Sequence, residues 1–167
     1  FPFIRLLAGP ADYTPGSMRS VTQDEFRPMD IDNTPPMSMG TRSHELSMFV
    51  IYDQWMAYLC DSPTEYNKYP DVLDFLSKIP AVWDKTLPLQ AKLSEYIVTA
   101  KQKGNDWYVG GMTNWDTRST EVNLSFLKDN VSYQATIFKD APNSYEQPKE
   151  YMVEKRTVDN KTVLNID

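Results

Sequence analysis

The sequence predicts an α/β region followed by an all-β region, and three observations carry that reading. Up to about residue 86, long apolar segments are separated by loops. From residue 87 on, short runs of alternating apolar and polar residues are separated by reversal signals. The order in the first region is strand, long loop, helix, short strand, loop, helix, which is that of two βα units. Two such units neither cover a sheet nor close one, so the first region is expected to be incomplete by itself.

Pro2 to Leu7 reads as a buried strand, bounded by Gly9-Pro10. Residues 10–40 read as a loop with prolines at 10, 15, 28, 35 and 36, and a loop of this length is usually functional or mobile. Ser43 has the chemistry of a helix cap, and Leu46, Phe49, Val50 and Asp53 follow at helical spacing. The run MAYLC, residues 56–60, starts a second short strand, closed by Asp61-Ser62-Pro63. A further helix opens at Pro70, runs through Val72, Leu73, Phe75 and Leu76, and ends at Ile79-Pro80.

In the second region Tyr96, Val98 and Ala100 alternate with Ile97, Thr99 and Lys101, and Gly104-Asn105 reverses the chain into Trp107, Val109 and Gly111. Similar runs over residues 121–126, 131–137, 151–155 and 163–166, with reversals at Asp129-Asn130 and Asp159-Asn160, give six short strands in all. Strands at this spacing, each with one polar and one apolar face, predict a small antiparallel sandwich. The pair Gly110-Gly111 falls inside a strand, where close packing is the plain explanation.

Composition narrows the function. The 167 residues carry a net charge of −6 and contain no basic run interleaved with aromatics, which argues against a nucleic-acid partner. No apolar run approaches the length that spans a bilayer, so no membrane partner is expected. The single cysteine, Cys60, excludes an intrachain disulfide and a Cys-based zinc site, and its apolar strand predicts a buried structural thiol. The single histidine, His44, excludes HExxH and three-histidine metal chemistry. Phe1-Pro2-Phe3 reads like the middle of an element, and the chain is expected to be an internal or C-terminal piece of something larger.

Four residues are candidates for a substrate pocket. Asp12 follows the first expected strand and Asp61 the second, so in a βα array both project from one rim. Carboxylates on such a rim suit contact with a sugar, although neither has a partner that would make a general acid and base pair. Their alternative readings are a turn residue for Asp12 and a loop or helix cap for Asp61. Tyr13 lies beside Asp12, and His44, at a helix start, could hydrogen-bond a neighbouring loop or a sugar hydroxyl, or be purely structural. Glu45 beside it gains a little from the exposed amides of the first turn. Asp24, Glu25, Asp30 and Asp32 raise the question of calcium, but counting from Asp30 the sixth position is Pro35 and the twelfth Thr41, so the EF-hand pattern fails and a solvated acidic loop is expected. Trp107 and Trp115 could form a carbohydrate platform, with core packing in a small sheet the preferred reading.

Several separated stretches carry a resemblance to a known family: PFIRLLAGPADYTPG at 2–16, SHELSMFVIYDQWMAYLCDSP at 43–63, FLSKIPAVWDKT at 75–86 and EYIVTAKQKGNDWYVGGMTNW at 95–115. In that order they resemble the C-terminal portion of glycoside hydrolase family 97, a family of α-glucosidases and α-galactosidases. The resemblance implies that residues 1–86 supply the last two βα units of a catalytic (β/α)8 barrel and residues 87–167 a C-terminal β-sandwich, cut short before its final strand is complete. Members bind calcium at the active site. Inverting members use a glutamate acid with glutamates as base, and retaining members an aspartate nucleophile with a glutamate acid/base. All those positions lie upstream of residue 1, so the resemblance assigns no catalytic and no metal residue here. It leaves Asp12, in the loop after the seventh barrel strand, as a pocket-lining group. It also implies an intact parent that binds calcium and carbohydrate and is periplasmic or secreted. The fragment is expected to be inactive, to bind no calcium, and to self-associate through exposed barrel elements. The alternative is a stand-alone carbohydrate-binding or interaction module built on the sandwich and its tryptophans.

Overall fold

Alternating strands joined by a tight turn bring their own pairing partner with them, as happens at Gly104-Asn105, whereas the strands flanking the expected reversals at Asp129-Asn130 and Asp159-Asn160 pair elsewhere. The computed structural model of the chain describes residues 1–30 and 32–166. Two short parallel strands, β1 (Ser20–Val21) and β2 (Ser38–Met39), lie in the long loop and precede the helices α1 (Arg42–Ile51), α2 (Pro63–Tyr66) and α3 (Pro70–Lys78). Seven strands come after the helices: β3 (Lys85–Lys92), β4 (Tyr96–Lys103), β5 (Asp106–Thr113), β6 (Thr120–Asn123), β7 (Tyr133–Asp140), β8 (Tyr151–Val158) and β9 (Val163–Ile166). They make a three-stranded antiparallel sheet β3-β4-β5 and the antiparallel pairs β6-β9 and β7-β8. The architecture is a mixed helical and loop region followed by antiparallel sheets.

Val98, Val122, Leu124, Leu127 and Val158 form the buried centre of the sheet region. Trp107 packs into it, its ring 4.7 Å from that of Phe126, as the core-packing reading expects. Trp115 does not: it sits in the loop after β5, 64% exposed, with no sheet face above it. The strand β3 escapes notice in the sequence because Pro88 interrupts it. Pro88 is tolerated because β3 is an edge strand whose register shifts between Pro88 and Gln90.

Helices α1 and α3 begin and end close to where the spacing puts them and α2 forms where a loop is expected, but both apolar runs expected as strands fail to form one. Pro2 to Leu7 is a turn followed by a 3-10 helix over Arg5–Ala8, closed by local bonds from the Leu7 amide to the Ile4 carbonyl (3.2 Å) and from the Gly9 amide to the Leu6 carbonyl (3.1 Å). Ile4 is 77% and Leu7 84% exposed. Residues 56–60 are also irregular, with Met56, Tyr58 and Leu59 exposed. A parallel strand needs neighbours on its edges and layers on both faces. None of the described residues supplies them, so local hydrogen bonds take over and the two βα units are not formed. Cys60 is correspondingly half-buried in a loop, not inside a strand. The cap of α1 is Thr41 and not Ser43: the Thr41 hydroxyl accepts from the His44 amide at 3.2 Å.

The two regions meet across α1. Its Leu46, Phe49, Val50 and Ile51 are buried. A Cβ on Gly110 of β5 would stand 2.9 Å from the Ile51 side chain and 3.2 Å from the Ser47 carbonyl, so only a glycine lets the sheet approach this closely. On the other flank, Phe75 of α3 packs against Phe138 of β7 at 5.2 Å.

Candidate functional site

The loop Ala11–Ser20 runs between α1, the segment after it and α2, and almost every backbone group of its central part is held. The Ala11 amide donates to the Asp53 carbonyl at 3.0 Å, and the Cys60 amide donates to the Pro15 carbonyl at 3.2 Å. Gly16 has φ +90°, and a Cβ there would lie 2.9 Å from the Phe49 ring, so the turn requires glycine twice over. The Tyr66 hydroxyl donates to the Gly16 carbonyl at 2.8 Å and accepts from the Asp61 amide at 3.2 Å.

Three charged side chains complete the clamp. Glu45 accepts from the Gly16 amide at 2.9 Å and from the Ser17 amide at 3.2 Å, both bonds buried. Burial pushes the Glu45 carboxyl above the usual range, and the two amides pull against that shift. Asp61 accepts from the Met18 amide at 2.5 Å and pairs with Arg19. Arg42 donates from Nη2 to the Met18 carbonyl at 2.8 Å.

The four sequence-derived candidates are distributed around this loop. Asp12 is solvent-exposed at its outer end. Tyr13 is partly exposed and packs on Phe1 at 5.3 Å and edge-on against Tyr52 at 5.2 Å. Burial raises the hydroxyls of both tyrosines, that of Tyr52 to about 12, so both are neutral hydrogen-bonding groups in the physiological range. Tyr52 also lines a cavity of about 250 Å³ with His44, Phe1, Glu95 and Asn114. Burial drives His44 below its ordinary value, with Asp140 opposing, and leaves a neutral imidazole at the cavity wall. Tyr52 touches Tyr13 and, at the other end of α1 from His44, lines the same open cavity as that histidine. The Asp61 side chain is buried and engaged with the loop backbone and Arg19.

Arg42 and Glu45 have larger roles than the sequence suggests. Both fall on the stripe of α1 that carries Leu46 and Phe49, three and four residues apart, and a charge on that stripe was the available signal. No group of three or more His, Cys, Asp or Glu side chains able to hold a metal occurs among the described residues. Glu45 Oε2 takes two backbone amides, and Asp61 is divided between the Met18 amide and Arg19, so the arrangement fixes a loop and presents Asp12 and Tyr13.

Residues 82–167 match the family described as "Glycosyl-hydrolase 97 C-terminal, oligomerisation". A retaining α-galactosidase of Bacteroides thetaiotaomicron is 44% identical over 153 residues, which is 92% of this chain and 22% of that protein. A probable retaining α-galactosidase of Streptomyces bingchenggensis is 29% identical over 123 residues, 74% of this chain and 17% of that protein. Among solved structures, a glycoside hydrolase family 97 enzyme from Pseudoalteromonas sp. strain K8 in complex with panose superposes with a TM-score of 0.85 at 28% identity, covering 99% of this chain and 25% of that one. The chain thus spans only 22% and 17% of the length of these two curated relatives.

Proposed function

The chain belongs to glycoside hydrolase family 97, and on that premise we propose that it is the C-terminal part of a retaining α-galactosidase that removes terminal α-linked sugars. The observation that carries the choice of sugar is the 44% identity to a retaining α-galactosidase, maintained over 92% of the chain. An α-glucosidase is the second reading, supported by the panose-bound family member at 28% identity. In this proposal residues 1–86 complete a catalytic barrel and residues 87–167 form the sandwich. The exposed Ile4, Leu7 and Trp55 then mark where barrel elements pack.

The chemistry divides accordingly. Retaining hydrolysis passes through an oxocarbenium-like transition state with two carboxyl groups about 5 Å apart, one attacking the anomeric carbon and one protonating the leaving oxygen. The two carboxylates that meet at the loop, Glu45 and Asp61, are engaged by its backbone amides and are not assigned this role. Its contribution is the wall: Asp12 and Tyr13 offer a carboxylate and a phenol to sugar hydroxyls, and the clamped loop spares the reaction the entropy of arranging them. The resemblance implies calcium at the active site of the intact enzyme, where the ion would polarise or position oxygens. In this proposal the ion's ligands come from other parts of the parent, as the resemblance implies. Self-association is part of the proposal and is supported by the description of the matched family. A periplasmic or secreted parent rests on the resemblance, and fractionation of cells would test it. The stand-alone module retains only Trp115 as a free platform.

The test is hydrolysis of p-nitrophenyl α-galactoside and α-glucoside by the full-length protein, by the same protein after chelation, and by residues 1–167 alone. Turnover of the galactoside by the full-length protein with retention of anomeric configuration is expected, lost on chelation, with none from the fragment. Preference for the glucoside would replace the first reading by the second. Turnover by the fragment would refute the division of labour.

A further inference from the structure

Arg42 is buried to 2% exposure, and its Nε finds no hydrogen-bond partner among the described residues. This places a guanidinium in a poorly hydrated setting. Where a carboxylate would be expected it meets two aromatic faces: its carbon lies 3.9 Å from the Tyr69 ring centre and 5.3 Å from that of Tyr151. The carboxylate of Asp71 is engaged by the Tyr151 hydroxyl, which donates to it at 2.9 Å. A hydrophobic side chain of similar volume would fill the space but leave the Met18 carbonyl without its donor. It would also not fix direction, and direction is what Arg42 supplies.

Its connections run to two places. Toward the sheet, its backbone amide donates to the Pro148 carbonyl at 2.9 Å, just before β8, and its guanidinium faces Tyr151 of β8. Toward the site, its Nη2 holds the Met18 carbonyl. One turn further along α1, Glu45 holds the amides of the two preceding loop residues. The first turn of α1 is therefore a common reference for β8 and for the loop that carries Asp12 and Tyr13.

We propose that Arg42 is a positioning residue through which the β7-β8 sheet sets the conformation of the loop at residues 15–20, and thereby the placement of Asp12 and Tyr13 against the sugar. The last step rests on the proposed glycosidase function; the coupling itself does not. It gives the C-terminal sheet a part in substrate binding without touching substrate.

The experiment uses the full-length enzyme with Arg42→Lys and, separately, Tyr151→Leu. Tyr151→Leu removes the ring that faces the guanidinium and keeps an apolar side chain beside a solvent-open cavity of about 460 Å³. Two quantities are read: amide exchange over residues 11–20, and steady-state kinetics on p-nitrophenyl α-galactoside. Arg42→Lys is expected to speed exchange at Gly16, Ser17 and Met18 about tenfold and to raise KM about tenfold, with kcat changed less than about threefold. Tyr151→Leu is expected to move both in the same direction by about twofold to threefold. Unchanged loop exchange in Tyr151→Leu overturns the coupling, and so does an Arg42→Lys enzyme that melts earlier with KM unaltered. If the unmutated enzyme turns over no α-glycoside, the glycosidase reading fails, and loop exchange alone still decides the coupling.

Discussion

The sheet region and the loop-and-helix region keep their apolar side chains in different places. Val98 of β4, Val122 of β6, Leu124 just after it and Val158 of β8 are buried against one another in one cluster. The equally apolar Ile4, Leu7, Trp55 and Met56 face outward. A strand with alternating faces and a tight turn specifies its partner locally. A continuous apolar run specifies only that something must surround it. What the second region buries by itself, the first buries only where the second, or its own loop, lies against it. The seam along α1 is therefore where substitutions should hurt most.

Glu45→Ala should have the largest effect. It strips two buried amides of their acceptor, and each orphaned donor costs about 1–3 kcal/mol. A loss of about 3 kcal/mol in denaturant unfolding is expected, together with faster amide exchange at Gly16 and Ser17. A loss no larger than that of an exposed Glu→Ala change, such as Glu146→Ala, would show that the loop is held without this carboxylate.

Gly110→Ala comes next and separates seam from sheet. Its new methyl group would meet the Val50 Cβ at 3.0 Å and the Ser47 carbonyl at 3.2 Å, and a helix backbone does not give way like a side-chain tip. About 2 kcal/mol of destabilisation is expected from such overpacking. Gly111→Ala, one residue along, meets nothing nearer than Ile166 at 3.5 Å and should cost well under half as much in the same melting experiment. Equal costs would erase the distinction between the two regions.

The same contrast explains what was legible in the sequence. The reversal at Gly104-Asn105 gave away β4 and β5, and the spacing of Leu46, Phe49 and Val50 gave away α1. Pro88 hid β3 because an edge strand with a register shift tolerates what a central strand does not. The runs at residues 2–7 and 56–60 read as strands because apolar continuity looks the same whether or not its neighbours are present. For the site, Tyr13 was legible as a residue, but its packing against Tyr52, far along the chain, was not. Arg42 and Glu45 were hidden for a different reason: charged residues in a first helical turn look like solvated ends, and only the loop packed over them gives them buried partners.

A third prediction concerns pH. Burial lowers His44 in the folded protein, with Asp140 pulling the other way. The unfolded chain then binds the proton more readily, so this contribution to stability is fully present above the ordinary histidine value near 6.5 and is lost as pH falls below it toward the lowered value. Thermal unfolding should show a decline as pH falls below about 6.5, and His44→Gln should flatten that part of the profile. An unchanged slope in His44→Gln would assign the decline to other groups.

The smallest effect expected in the chain itself is the most discriminating between the regions. Leu7 and Trp55 are open to solvent, so Leu7→Ser and Trp55→Ser should each change the unfolding free energy of residues 1–167 by no more than about 0.5 kcal/mol. If the full-length protein packs barrel elements over them, the same substitutions there should cost about 2 kcal/mol each, the transfer free energy of a covered apolar side chain. Small effects in both contexts would leave these residues facing water in the parent as well, and would remove the support they give to the barrel. A large effect already in the short chain would mean that the first region buries these side chains unaided, and the contrast with the sheets would dissolve.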